Sequence, residues 1–435
     1  MKQQILLSCI LAACATGASA APSSYMPIGP NIGYGDASNS NTIYSPLANP
    51  SYNAINQSDT NGYRVGLGAG FQIGVESHGL QGYADYFKNN IQSILDKTYT
   101  NPTNANNAKN QLQTNLNTYF SKYNQGNISV TGGVTIPLLI KSGSFSGGLS
   151  LDISRQAATK VNVVDNTNTD INVTATSNGS DYNLSVNNGA AAWNLSYKEL
   201  TEVALGYGTN IISNNNATLS LGVTARYLSL LSNTKMVDFS QIVRENRGSR
   251  NKDTGDYLSN LNTGSSETAI TADVGLNWIH KNYSIGLVGM NLTSPKFKTH
   301  NLSNASASTA FANYIESDFT LKPQYRVTGQ INTESRHWTI AGSYDLAKAN
   351  DLNNQDTQWW SASASFATNS AWYLPDVRLG LRGNMAGNKY TYTDVGLTFG
   401  ILNLDVATTT TDFSGVIDKQ KDAGLIASAG IEFDF

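Results

Sequence analysis

Four histidines, His78, His280, His300 and His337, are where a metal or acid–base site would first be sought. None has a partner at H-x-x-x-H spacing, so zinc chemistry gains no support and the histidines read as loop and turn residues. The only cysteines, Cys9 and Cys14, lie near the N-terminus. Removal of a leader beyond them leaves no disulfide framework, thiolate metal site or cysteine nucleophile. No G-x-S-x-G elbow occurs. Gly383-Asn384-Met385-Ala386-Gly387-Asn388-Lys389 echoes a phosphate loop but lacks the G-K-[ST] ending. One basic run stands out: Arg244, Arg247, Arg250 and Lys252. A solvated loop is the plain reading. Contact with lipopolysaccharide phosphates or with a partner surface is the sharper one, because guanidinium forks match phosphate oxygens. No aromatic platform is interleaved with these charges, and the net charge is -3, so nucleic acid is not expected as a direct partner. No cofactor is implied and no enzyme is expected.

The elements around these residues carry more information. In Tyr63 to Glu76 every odd position is apolar and every even position is polar or glycine. A period of two is a strand with one apolar and one polar face. The pattern recurs near 128–136, 143–157, 193–210, 217–231, 267–280, 283–292, 324–333, 337–346, 358–367, 377–385, 390–399, 401–410 and 423–435. That makes about fourteen strands. The polar faces carry charges such as Arg226, Asp273, Arg378 and Arg382, which suits a wet lumen. An extra hairpin is expected around Val161–Val173.

Only 14% of residues are charged, against roughly 25% in soluble domains. Residues 1–20 read as a secretory signal: Lys2, the apolar run Ile5 to Ala13, and Ala18-Ser19-Ala20 with cleavage after Ala20. Leu11-Ala12-Ala13-Cys14 also resembles a lipobox, which would leave Cys14 lipidated. No later stretch approaches the ~18 apolar residues of a membrane helix.

Residues 21–62 are rich in turn residues and contain Tyr25, Tyr34, Tyr44 and Tyr52. They fit a flexible leader or, given those aromatics, an ordered plug inside a barrel. Residues 78–127 form a helical insertion, with Ala84 to Lys97 and Leu112, Leu116, Tyr119 and Phe120 near helical spacing. This helical pair either covers a lumen or packs on itself.

Connection lengths choose between a soluble and a membrane fold. Through the first eight connections long and short alternate, which is the parity of outer-membrane barrels, with short periplasmic turns and longer loops outside. Aromatics gather near proposed strand ends: Trp278 and Tyr283, Trp338 and Tyr344, Trp359 and Trp360, Trp372 and Tyr373. Such residues suit interfacial girdles. The last strand alternates to its end, with Leu425, Ala427, Ala429, Ile431, Phe433 and Phe435 on one face. Phe433 and Phe435 thus look like the signal read by the barrel-assembly machinery. The expectation is an all-β, transmembrane antiparallel barrel of about 14 strands over 63–435, with an N-terminal plug and helical extracellular insertions, exported to the outer membrane of a Gram-negative cell and bounded by its lipid and lipopolysaccharide. A secreted soluble β-protein acting as a binding module is the alternative.

Several stretches resemble the TraF-like outer-membrane proteins of plasmid conjugal transfer, related to FadL-like fatty-acid channels. They are Asp273-Val274-Gly275-Leu276, Ile285 to Phe297, Gln324 to Gly329, Ile340 to Ala347, Arg378 to Asn384 and Leu402 to Ala407. Asn49-Pro50-Ser51 is similar to the Asn-Pro-Ala of FadL-like plugs, with Ser51 in place of Ala. Residues 78–127 have no counterpart. The resemblance implies a fourteen-stranded barrel with an N-terminal plug and a structural or assembly role among conjugation proteins. For FadL-like relatives it implies apolar ligands that bind near the outer loops and leave through the wall, so a channel for small hydrophobic molecules is a further alternative.

Overall fold

The computed structural model describes residues 42–435 except 56–62, 143–145, 167, 215–216, 246–256, 336, 369–373 and 410–421. Signal and lipobox residues lie outside the described residues, as do Trp372 and Tyr373.

Fourteen antiparallel strands close into one barrel. They are β1 (Tyr63–His78), β2 (Asn127–Ser142), β3 (Gly147–Asp165), β4 (Ala191–Ser213), β5 (Ala217–Asp238), β6 (Glu267–His280) and β7 (Tyr283–Met290). The second half is β8 (Gln324–Asn332), β9 (Trp338–Asp345), β10 (Trp359–Phe366), β11 (Asp376–Asn384), β12 (Thr391–Phe399), β13 (Leu402–Thr408) and β14 (Ala423–Asp434). Each strand pairs with its neighbour in sequence, and β14 returns to β1 from Gly66↔Asp434 to Ser77↔Ala423. Closure leaves no open edge, which lipid requires because it offers no hydrogen bonds to bare backbone.

The outward positions form a continuous apolar belt. Leu205 is 58% exposed, Ile270 70% and Ile340 63%. Val65, Leu67 and Phe71 of β1 join it, while Arg64, Gln72 and Glu76 are buried inside. An exposed apolar surface around the whole wall suits lipid and not water. Trp278, Tyr283 and Trp338 stand exposed beside the short turns, and Trp338 packs on Phe366 with centroids 4.7 Å apart. Trp359 departs from the girdle expectation: it is buried in the lumen, and its neighbour Trp360 takes the outer face opposite Tyr344.

A membrane strand needs about 9–11 residues. β3, β4 and β5 have 19, 23 and 22, and they project past the wall on the side of the long loops. There they support a cap. Helix α1 (Pro102–Tyr123) starts at Asn101, whose side chain accepts the Thr103 N–H at 2.8 Å. Its apolar stripe, Leu112, Leu116, Tyr119 and Phe120, is buried with Ile91 and Ile94 of the preceding short helices. Val163, Leu195 and Val237 from the strand extensions complete that core. The helical pair therefore packs on the strand extensions as well as on itself. The insertion occupies 79–126, because β1 runs to His78 and β2 starts at Asn127. The extra hairpin lies at Val173–Asn178 and Asp181–Val186, later than expected, because Val161 to Asp165 continue β3 against β4.

Candidate functional site: the plug and the luminal wall

Inside the barrel the chain forms a helical turn, Ser45–Ala48, followed by a 3-10 turn, Pro50–Ala54. Asn49 joins them. Its side-chain oxygen accepts from Ser51 N at 3.0 Å and from Ser51 Oγ at 2.7 Å. Its amide donates to the Leu276 carbonyl of β6 at 3.2 Å and points toward the Leu287 carbonyl of β7 at 3.5 Å. Asn49 thus caps the turn and ties it to the wall, and the structure brings Asn49, Pro50 and Ser51 together as one unit. Asn53 Nδ2 closes the turn on the Pro50 carbonyl at 3.1 Å.

The wall accommodates this segment through a row of glycines. Gly148 of β3 opposes Gly208 of β4, Gly208 opposes Gly222 of β5, and Gly222 opposes Gly275 of β6. A β-carbon at Gly148 would overlap the Asn53 carbonyl, at Gly222 the Pro50 carbonyl, and at Gly275 the Asn49 side chain. At Gly208 it would come within 2.7 Å of Pro50 O. On β1, Gly66 and Gly68 make the same room for Ile43. Sequence reading missed this row. Its signal is present, because each glycine falls at an inward position of its strand, but the opposition of four of them appears only once the strands are in register.

Charged side chains hold the rest. Ile43 N donates to Glu432 at 2.7 Å and Tyr44 Oη donates to the Ile431 carbonyl at 2.9 Å. Lys141 donates to the carbonyl of Ala54 at the end of the 3-10 turn. Arg226 pairs with Glu202 and, at 2.5 Å, with Asp273, and reaches the Leu47 carbonyl at 3.4 Å. Further along the lumen Arg326 pairs with Asp345 at 2.6 Å and Arg378 with Asp405 at 2.9 Å. Arg382 lies 3.7 Å from Asp394 and over the rings of Trp359 and Tyr392. These pairs link nearby strands across the interior.

A cavity of about 340 Å³ remains on the side of the long loops. Lys160, Asn162, Asn194, Glu316 and Asn353 line it with Tyr314. Close by, in the loop between β9 and β10, Asp351 is buried. Burial pushes its carboxyl up to about 7, against the opposing pull of the Gln355 N–H and of Lys160.

The remaining sequence candidates do not converge. Phe433 and Phe435 face outward at the seam, where Val65 and Phe435 exchange two backbone hydrogen bonds of 2.9 Å. Arg64 backs the seam from inside with a fork onto Asp434, the shortest contact being 2.7 Å. Arg244 is exposed on the short helix Phe239–Glu245, and Arg247, Arg250 and Lys252 lie outside the described residues. His78 sits 3.2 Å from the Tyr390 hydroxyl, and His280 stacks on Tyr283. Among the described residues no group of three His, Cys, Asp or Glu could hold a metal ion.

A family model described as F plasmid transfer operon, TraF, protein matches residues 46–345, from the plug through β9. A comparison with curated proteins finds no match. Among solved structures the chain is similar to the CymD monoaromatic hydrocarbon channel, at 11% identity over 95% of this chain and 99% of that one, with a TM-score of 0.45. It is similar to the Pseudomonas putida toluene transporter TodX, at 11% identity over 96% and 99%, with a TM-score of 0.43. The Ralstonia pickettii toluene transporter TbuX aligns at 11% identity over 95% and 98%, with a TM-score of 0.42.

Proposed function

Because the chain belongs to the family of the F plasmid transfer operon protein TraF, we propose that it serves plasmid transfer from the outer membrane as a structural or assembly component of the apparatus and not as an open conduit. The observation that carries this reading is the occupied lumen. The Asn49-Pro50-Ser51 turn lies against the glycine row, and ion pairs bridge the wall beyond it. A channel for small hydrophobic molecules is the alternative. It calls for an apolar binding pocket, whereas the cavity at the mouth is lined mainly by amides and charges.

The same proposal includes export behind a leader cut after Ala20, insertion by the barrel-assembly machinery through the strand that bears Phe433 and Phe435, and lipopolysaccharide as the neighbour of the exposed Arg244.

Removing the gene from a plasmid-bearing donor tests the role. Transfer frequency should fall and return when the gene is supplied in trans. Unchanged transfer would exclude it. Planar-bilayer recordings of the purified barrel test the closed lumen, and steady ohmic steps from the intact chain would argue for a conduit.

A further inference from the structure

Asn-Gly dipeptides stand at Asn178-Gly179 and Asn188-Gly189, and another, Asn61-Gly62, lies outside the described residues. Asn178 and Asn188 are both exposed, but the fold holds them differently. Asn178 is at the tip of the extra hairpin, where it pairs with Asp181 across the turn Gly179-Ser180. Gly179 has φ +69, the left-handed conformation that a tight hairpin turn asks of a glycine. A β-carbon at Gly179 would meet nothing within 4 Å. Among the described residues neither the Asn178 side chain nor the Gly179 N–H has a hydrogen-bond partner. The Gly179 carbonyl only accepts from the Ser177 hydroxyl at 3.3 Å.

Asn188-Gly189 is clamped instead. Gly189 is buried, and its N–H donates to the Asp238 carboxylate at 2.5 Å. Its carbonyl accepts from Asn166 Nδ2 at 2.7 Å. Asn188 Oδ1 accepts from the Ser240 hydroxyl at 2.6 Å. The same dipeptide is therefore free in one place and held at both reacting groups in the other.

We propose that Asn178 is a site of spontaneous deamidation, and that the fold protects Asn188 from the same reaction. Glycine has no β-carbon to shield its nitrogen. The Gly179 nitrogen gives up its proton and bonds to Asn178 Cγ. The Cγ–Nδ2 bond breaks, and ammonia leaves with that proton. Water then opens the cyclic imide at either carbonyl, leaving aspartate or isoaspartate. The balance is one water consumed and one ammonia released. At Gly189 the nitrogen first has to leave Asp238, and the Asn188 side chain has to leave Ser240. Either product adds a carboxylate at the hairpin tip, close to Asp181. Isoaspartate also lengthens the backbone by one atom, which the pairing of Asn178 with Asp181 cannot absorb. The inference does not depend on the transfer role, because it rests on the two dipeptides alone.

Incubation of the full-length barrel in detergent at mildly alkaline pH tests it. Peptide mass spectrometry reads the amide-to-acid change at each asparagine. Asn178 should convert at least about tenfold faster than Asn188, since a hydrogen bond to a charged group has to break before Gly189 reacts. In the chain kept unfolded in urea the two sites should convert at similar rates. Asp238→Ala, in a barrel shown to be folded by heat-modifiable gel mobility, should speed conversion at Asn188 and leave Asn178 unchanged. Equal rates in the folded barrel would overturn the proposal. So would an Asn178 that reacts in urea and stays an amide in the barrel, or a difference between the sites that is as large in urea as in the barrel. An Asn188 that stays inert in folded Asp238→Ala would overturn the protective role of the clamp.

Discussion

Gly222 lies directly beneath Pro50, so close that a β-carbon on the strand would overlap the proline carbonyl. The plug is thus seated by the absence of side chains as much as by bonds. The barrel wall and the N-terminal turn are specified together.

Gly222→Val should unseat the turn or strain the wall, at a cost of about 1–3 kcal/mol. Limited proteolysis of the N-terminal segment and the temperature of heat-modified mobility report the two outcomes. Gly329, with nothing within 4 Å of its β-carbon position, is the control, and Gly329→Ala should be close to neutral. Equal behaviour of the two variants would disprove the seating.

Asn49→Ala removes a cap and a tie to β6 together. The cap alone is worth about 0.5–2 kcal/mol. Ser51→Ala, which loses only the hydroxyl bond to Asn49, should cost less. Chemical unfolding of both variants measures the order, and a Ser51 variant as damaged as the Asn49 variant would contradict it.

Arg226→Met leaves Glu202 and Asp273 buried without their cation. Loss of one partner from a buried network costs about 3–5 kcal/mol. Adding Glu202→Gln and Asp273→Asn to Arg226→Met should recover most of it. No recovery in the triple variant would mean that the arginine acts through packing and not charge.

Asp351 predicts a pH dependence. Its folded pKa of about 7 lies above the ordinary aspartate value of roughly 3.9. The folded state therefore binds the proton more tightly. The associated stability is full below about pH 4 and is lost as pH rises through about 7. Asp351→Asn can still accept from Gln355 N, a bond of 2.8 Å in the parent, and should flatten the profile. Melting temperatures at several pH values between 4 and 8 check this, and parallel profiles for parent and variant would refute it.

Phe435→Ala keeps both backbone bonds to Val65 and loses only an outward ring. A role in assembly predicts a lower yield of inserted barrel with little change in the stability of barrels already formed. An equal loss in both measurements would make the ring a stability element only.

Strand positions and the orientation of their faces were legible because alternation is local: the period of two assigns a face without knowledge of the partner. It placed Val65 and Leu67 outward and Arg64 and Gln72 inward, and about fourteen such segments with alternating loop lengths called for a closed barrel. Even the pair Trp359 and Trp360 obeys it, since neighbours on one strand cannot both face lipid. Boundaries were less legible, as at Val161 to Asp165, because only pairing with Ala191 to Leu195 shows that the strand continues.

Which residues oppose one another was decided by tertiary structure alone. Gly148, Gly208, Gly222 and Gly275 are far apart in the chain and form a seat only through register. The ion pairs Arg64–Asp434 and Arg226–Asp273, and the meeting of Lys160 with Asn353 at one cavity, have the same origin. Alternation fixes the direction of a side chain, but closure and stagger of the barrel fix its neighbours, and those neighbours make the site.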